Sequence, residues 1–288
     1  MKVKKITLDD NAYPSVLRTI ATPPKQLYYL GLDPEEWLAR PRVAIVGSRG
    51  VTPYGRSVAE LLASQLAERG ISIVSGLALG VDAIAHEAAV RSGQGPHLAV
   101  LANGLDEIYP ASNTILAQRL LEQGGAIISE YPVGTPSFKQ NFVARNRIVA
   151  GLSQALLIIE ASDKSGTLHT ARFALEQGRD VMVVPGNITS PHSVGCNNLI
   201  KAGATPVTCV EDILHIIGAE NLNRTAYVHK GENADEQAIL DLLYNGVSDG
   251  YQLLIQTNLS ADIYTQTLTM LELSGKIHPL GNNHWAPN

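Results

Sequence analysis

The sequence is poor in the residues that usually announce a function. It has two cysteines, Cys196 and Cys209, in no metal-ligand or redox spacing, which removes zinc ribbons, thiol–disulfide motifs and a disulfide scaffold from consideration. The eight histidines stand singly, so no metal site is expected. No apolar run reaches the length needed to cross a bilayer, and MKVKKITLDD at the start lacks the apolar stretch of a secretory leader, so a cytoplasmic protein with no membrane partner is expected. There is no G-x-x-x-x-G-K-[ST] run. The first strand-like segment ends in GSRGVTPYG instead of G-x-G-x-x-G, and the second ends in Ser75 and Gly76 with no acid for a ribose hydroxyl. Nicotinamide chemistry and P-loop ATP hydrolysis are therefore disfavoured, and no cofactor is expected. Aromatics make up only 5% of the chain, with three phenylalanines, which makes two of them close together in one loop-flanked run informative.

Cationic excess is also missing, since the formal net charge is −5. The deficit is local. Residues 1–39 carry five Lys+Arg and five Asp+Glu, residues 40–218 carry 14 of each, and residues 219–288 carry three against eight. A polyanion is expected to bind a patch in the neutral middle, and the acidic tail is a poor grip for duplex phosphates.

What is present is a regular alternation. Short β-branched runs at Val43 to Val46, Ile71 to Val74, Leu98 to Leu101, Ala126 to Ser129, Ala155 to Glu160 and Val181 to Val184 are separated by segments with apolar residues at helical spacing. This predicts an α/β, Rossmann-like domain over 40–218, with a parallel sheet and helices on both faces. Residues 1–39 read as an extension packing on that core. Residues 219–233 read as a linker. Residues 234–288 read as three short helices and a hairpin of Lys276, Ile277 and His278 against His284 and Trp285 across Gly281, the order of a winged helix.

Ligands of such sheets sit at the carboxyl ends of the strands. Here those ends are small and polar: GSRG, SGLALG, ANGLD, SEYPVG, EASDKSG and PGN. Taken one at a time, each is an ordinary tight turn; six along one edge point to a shared site. Arg49 follows Gly47 and Ser48, and Lys164 precedes Ser165, Gly166 and Thr167 at a helix start, where backbone N–H groups and the helix dipole favour an anion. In FKQNFVARNRIVAG, Arg145, Asn146 and Arg147 lie near Phe138 and Phe142, the pairing of cations and rings that an unpaired nucleotide strand needs. The alternative is that both rings are core and the arginines pair with Glu130 or Glu160. Asp82 and His86, one helical turn apart, are an oriented base or, more simply, a structural pair; no nucleophile accompanies them. Asp106, Tyr109 and Asn113 read as a rigid turn and helix start. No catalytic residue is assigned, and the chain is not expected to be an enzyme.

The runs GSR…YG, SGLALGVDAIAH, GLDEIYPASN, SEYPVGT…F…RNRIVAGLS, EASDKSGTLHTARFALEQGR and VPG…GCNNLIKAGA, over about residues 12–217, together resemble the DNA-processing protein A (DprA, or Smf) family. Two positions depart from its usual pattern, Val143 in place of proline and Ala102 in place of glycine. The resemblance implies an extended Rossmann-like fold, homodimerisation, cooperative binding of single-stranded DNA and loading of the RecA recombinase in natural transformation. It places Gly47, Ser48, Arg49, Lys164, Ser165 and Gly166 in a basic DNA-binding pocket, and Arg145, Asn146 and Arg147 beside it. Two competing readings remain: a nucleoside-monophosphate phosphoribohydrolase on a related fold, for which the KSGT turn is one glycine short, and a recombination or defence adaptor whose acidic tail binds proteins.

Overall fold

The computed structural model describes residues 2–220, 231–281 and 283–287. Two compact units are present, Met1–Leu222 and Asn223–Asn288. Residues 221–230 of the expected linker lie outside the described residues.

The first unit runs β1 (Lys4–Thr7), α1 (Ser15–Arg18), β2 (Gln26–Gly31), α2 (Pro34–Trp37), β3 (Arg42–Val46), α3 (Pro53–Glu68), β4 (Ser72–Ser75), α4 (Val81–Arg91), β5 (Leu98–Leu101), α5 (Thr114–Glu122), β6 (Ala126–Ser129), α6 (Lys139–Gly151), β7 (Ala155–Ile158), α7 (Thr167–Glu176), β8 (Asp180–Val183), α8 (Val194–Lys201), β9 (Thr205–Pro206) and α9 (Val210–Ile216). The nine strands form one sheet in the order β1-β2-β6-β5-β4-β3-β7-β8-β9. From β6 to β9 all neighbours are parallel, while β1 and β2 join antiparallel beside β6, with Tyr28 opposite Ser129. The architecture is thus a mainly parallel α/β sheet whose N-terminal segment supplies two antiparallel edge strands.

Period-two side-chain alternation explains why both faces are covered. In β3, Ala44 and Val46 point into one core with Ile148 and Val149 of α6 and Ala171 of α7, while Val43 and Ile45 point into the other with Leu62 and Leu66 of α3 and Ile84 of α4. All five β3 residues are buried, as a strand sandwiched between helix layers must be. Helix α3 starts cleanly because the Thr52 side chain accepts from Gly55 N at 3.1 Å and Pro53 occupies the first turn, where its missing N–H costs nothing.

The second unit contains α10 (Ala234–Tyr244), α11 (Gly250–Thr257), α12 (Ala261–Leu273), β10 (Ile277–Gly281) and β11 (His284–Pro287). Asn233, Asp249 and Ser260 cap the three helices with side-chain acceptors. Ile239, Leu240, Leu243, Leu253, Leu268 and Leu271 make its core. The hairpin pairs Gly281 with His284 and Ile277 with Pro287; Lys276, expected inside it, lies just before the strand.

Candidate nucleic-acid interface

Chain order reverses at β3. The strands β4, β5 and β6 build outward on one side of it, and β7, β8 and β9 on the other, so the crevice outside β3 and β7 is the switch point where such sheets take ligands. The two turns there are tied together. Ser48 N donates to Glu160 O at 2.9 Å, and the Glu160 carboxylate accepts from Thr52 N at 3.0 Å and from the Thr52 hydroxyl. Glu160 is thereby committed to holding the start of α3, so its buried carboxylate is not an open anion facing the crevice. Gly47 is required by proximity, since a Cβ there would lie 2.6 Å from Val81 Cγ2.

Above these turns opens a cavity of about 700 Å³. Gly47, Ser48 and Arg49 line it from the turn after β3, Phe142, Arg145 and Asn146 from α6, and Ser165, Gly166 and Thr167 from the turn into α7. The serines shape their own turns. Ser48 Oγ donates to Gly50 O at 3.1 Å, and Ser165 Oγ accepts from Thr167 N at 3.2 Å, so one N–H that the sequence left for an anion is capped within the chain. Arg49, Gly50 and Gly166 are exposed residues, and their N–H groups have no partner among the described residues.

Arg49 is exposed, and its guanidinium carbon lies 5.1 Å from the centroid of the Phe142 ring. Phe142 in turn lies 5.6 Å from Tyr109, the ring planes tilted at 56°. Among the described residues Arg49 makes no ion pair, and neither does Lys164, which is exposed one residue before the lining Ser165. A cation held over a ring keeps its donors free for an incoming oxyanion. Phe138 stands exposed at the start of α6 without lining the cavity.

The two arginines of the RNR run are placed differently from Arg49. Arg145 is 4% exposed, donating from Nη1 to Gly76 O at 2.8 Å and to Val100 O, and from Nε to Asn146 Oδ1 at 3.1 Å. Burial pulls it down to about 10, so it stays cationic at neutral pH, supported by Asp82. A Cβ on Gly76 would run into that guanidinium, so the glycine lets Arg145 lie across the β4 turn. Arg145 touches the cavity mainly as the brace of its floor. Arg147, expected as a strand contact, is absent from the lining: Nη1 and Nη2 donate to the Glu130 carboxylate at 2.7 and 2.6 Å, and Nε to Thr22 O at 2.9 Å. Its fork geometry matches a carboxylate, and Glu130 takes it.

Asp82 and His86 do not pair as the sequence spacing allowed. Asp82 Oδ2 accepts from Gly76 N at 3.0 Å, and burial pushes its carboxyl upward against the pull of Arg145. His86 is fully buried and pulled down to about 3 by burial and by His97, which makes it a neutral packing residue at physiological pH. Asn113 donates to Leu77 O at 2.8 Å, holding a leucine at a positive φ of 52° in the same β4 turn. Asp106 accepts from Gly134 N at 2.7 Å, tying the β5 turn to the β6 turn. Of the departures from the family pattern, Val143 lines the large cavity, while Ala102 carries a carbonyl that accepts from Asn141 Nδ2 at 3.1 Å.

Sequence reasoning missed Lys139 and the lining role of Tyr109. Lys139 opens α6 beside Phe138 and is exposed. Its adjacency to a rare phenylalanine was the available signal. Tyr109 was readable only as a turn, because its ring meets Phe142 across 33 residues of sequence. Among the described residues no cluster of His, Cys, Asp and Glu is suited to a metal, and no helix is long and apolar enough to cross a membrane.

The fold defines a Rossmann-like α/β protein, with a cavity at its switch point. The chain belongs to the DNA recombination-mediator protein A family, whose sequence model matches residues 4–218. It is 50% identical to protein Smf of Escherichia coli K12 over 173 residues, 60% of this chain and 46% of that protein. Its structure is similar to the X-ray structure of DNA processing protein A from Streptococcus pneumoniae, with a TM-score of 0.69 and 39% identity over 75% of this chain and 74% of that one. It is also similar to DNA processing protein A from Helicobacter pylori, solved for its unique single-stranded DNA binding mode, with a TM-score of 0.65 and 35% identity over 74% of this chain and 94% of that one. The chain spans about half the length of the first two curated relatives it matches.

Proposed function

We propose that this chain binds single-stranded DNA along the carboxyl edge of its sheet and serves as a recombination mediator. It acts as a homodimer that protects incoming single strands and loads the RecA recombinase onto them in natural transformation. The observation that carries the binding step is the grouping of Arg49, Phe142 and Tyr109 on the 700 Å³ cavity, which Ser165, Gly166 and Thr167 also line, with exposed Lys164 just before them. Cations without carboxylate partners meet phosphates, and rings meet unstacked bases, a combination suited to a single strand and tolerant of its sequence. Family membership supports the mediator role, and the single-stranded DNA mode of the Helicobacter pylori relative supports the choice of ligand. The dimer and the RecA step rest on the family alone.

The test compares an oligothymidine with a duplex of the same length, by fluorescence anisotropy at two salt concentrations. Binding to the single strand at least about 10-fold tighter than to the duplex is expected, because paired bases have no free faces to stack. Equal affinity for both would remove the aromatic part of the reading.

A further inference from the structure

In the order of the second unit, α12 follows α11 through a short turn in which Asn258 takes φ 55° and Ser260 caps the new helix, so α12 holds the place of a helix-turn-helix recognition helix. Its chemistry does not suit a nucleic acid. None of its thirteen residues is Lys or Arg, and residues 231–288 carry one such residue, Lys276, against seven Asp and Glu. Lys276 is already spent, with Nζ 3.3 Å from Glu232 and 3.0 Å from Glu236. Affinity for duplex DNA comes largely from phosphates neutralised by cations, and this unit has none to offer among its described residues.

What α12 presents instead is apolar. Its inner face, Tyr264, Leu268 and Leu271, is buried in the unit's core. On the opposite side Ile263, Met270 and Leu273 are 45%, 52% and 77% exposed. With Gln266 they fall at spacings of three, four and three residues, the seam that one helix offers another. Asp262 borders this stripe, Glu272 lies about a quarter turn off it, and the unit around it is acidic throughout, with seven Asp and Glu against one Lys over residues 231–288. On α11, Tyr251 and Ile255, one turn apart, are exposed as well.

We propose that the outward face of α12 is a docking surface for a basic amphipathic helix of another protein. The apolar stripe takes the partner's seam residues, and the acidic unit, with Asp262 at the stripe's border, selects a partner carrying lysine and arginine beside its seam. A second copy of this unit is the wrong occupant, because two acidic faces repel each other. Methionine at the middle of the stripe suits a surface that adapts to its ligand. This inference is independent of the single-stranded DNA reading, which concerns the first unit.

The full chain is titrated at about 0.15 M salt with a fluorescent three-heptad peptide, leucine at its seam and lysine at the flanking positions. A peptide with glutamate for lysine and one with serine for leucine serve as controls. The basic amphipathic peptide is expected to bind at least about 10-fold tighter than either control. Met270→Lys with Leu273→Lys should weaken it at least about 10-fold, and Met270→Ser with Leu273→Ser should weaken it less. Both variants should leave oligothymidine affinity unchanged, and substitutions at such exposed positions spare the core. Absence of binding, equal binding of either control, or indifference to the lysine pair overturns the proposal. It is also overturned if the lysine pair dissolves a self-associated species in sedimentation, abolishes duplex DNA binding by the parent chain, or raises oligothymidine affinity. Those results assign the face to a second copy, to DNA, or to the chain's own first unit.

Discussion

Arg49 is held by a ring and, among the described residues, by no carboxylate: its guanidinium lies 5.1 Å from the centroid of Phe142. The side chain is positioned without its charge being cancelled, and the same ring lies beside Tyr109. Phe142→Ala removes both the platform and the support of Arg49. An affinity loss for oligothymidine of about 10- to 100-fold is expected, from base–aromatic stacking worth about 1–3 kcal/mol. Phe142→Tyr keeps the ring face and should remain within about 3-fold of the parent. Anisotropy titrations of the two variants check this, and equal losses in both would assign the effect to local packing.

Lys139 is the cation that sequence reasoning passed over. It is exposed on the cavity wall and makes no ion pair among the described residues. Lys139→Gln should weaken strand binding and flatten the plot of log K against log salt by about 0.7, as it must if the variant neutralises one phosphate fewer along a single strand. An unchanged slope would place Lys139 off the strand's path.

Arg145 and Arg147 separate stability from binding. Arg145→Met strands the buried Asp82, whose carboxyl burial already pushes upward and which loses the cation opposing that push. The substitution also leaves the buried Gly76 and Val100 carbonyls without the guanidinium donor, at about 1–3 kcal/mol each, which lowers the melting temperature of a unit this size by roughly 10 °C. Adding Asp82→Asn should recover part of that loss, a coupling read from a double-mutant cycle in urea. Arg147→Gln breaks the Glu130 pair, in which both side chains are shielded, and should cost stability while leaving oligothymidine affinity unchanged. A large loss of affinity in Arg147→Gln would place it on the strand after all.

Buried histidines set an acid limit. His97 Nδ1 accepts from Ile73 N at 3.2 Å, so the proton sits on Nε2, which donates to Ala89 O at 3.2 Å; this geometry fits only the neutral ring. Burial pulls His97 down to about 4, and burial with the neighbouring His97 pulls His86 down to about 3, against an unfolded value near 6.5. Below about pH 6.5 the unfolded chain binds protons that the native chain refuses. Stability therefore falls with pH across the window from about 6.5 to 4, by up to roughly 1.4 kcal/mol per pH unit for each histidine. Urea unfolding at pH 7, 6 and 5 should show this decline, and His97→Gln should make it shallower. A flat profile would mean that these rings open to water before the fold does.

The parallel strands were legible because buried strands between helix layers must be short apolar runs. Those expected at Val43 to Val46 and Leu98 to Leu101 run Arg42–Val46 and Leu98–Leu101. Strands β1 and β2 were not, because KKIT and QLYYLG sit at the sheet's antiparallel edge, where β2 pairs with β6, about 100 residues away in sequence, and β1 pairs only with β2. The Gly-Ser turns at the switch point were legible from their chemistry. What sequence could not decide was which arginine of RNR is buried and which is paired. Helical positions two residues apart point to nearly opposite sides, and the partners of Arg145 and Arg147, Gly76, Val100 and Glu130, belong to strands and turns brought together only by the fold.

The most direct test of the central claim is the salt dependence of oligothymidine binding by Arg49→Glu and Lys164→Glu, singly and together. Each reversal is expected to lower affinity at least about 10-fold for any base sequence and to reduce the salt slope by about 0.7 or more, with near-additive effects in the double variant. Affinity and slope both unchanged in the double variant would contradict the account, for the strand would then lie somewhere other than the switch-point cavity.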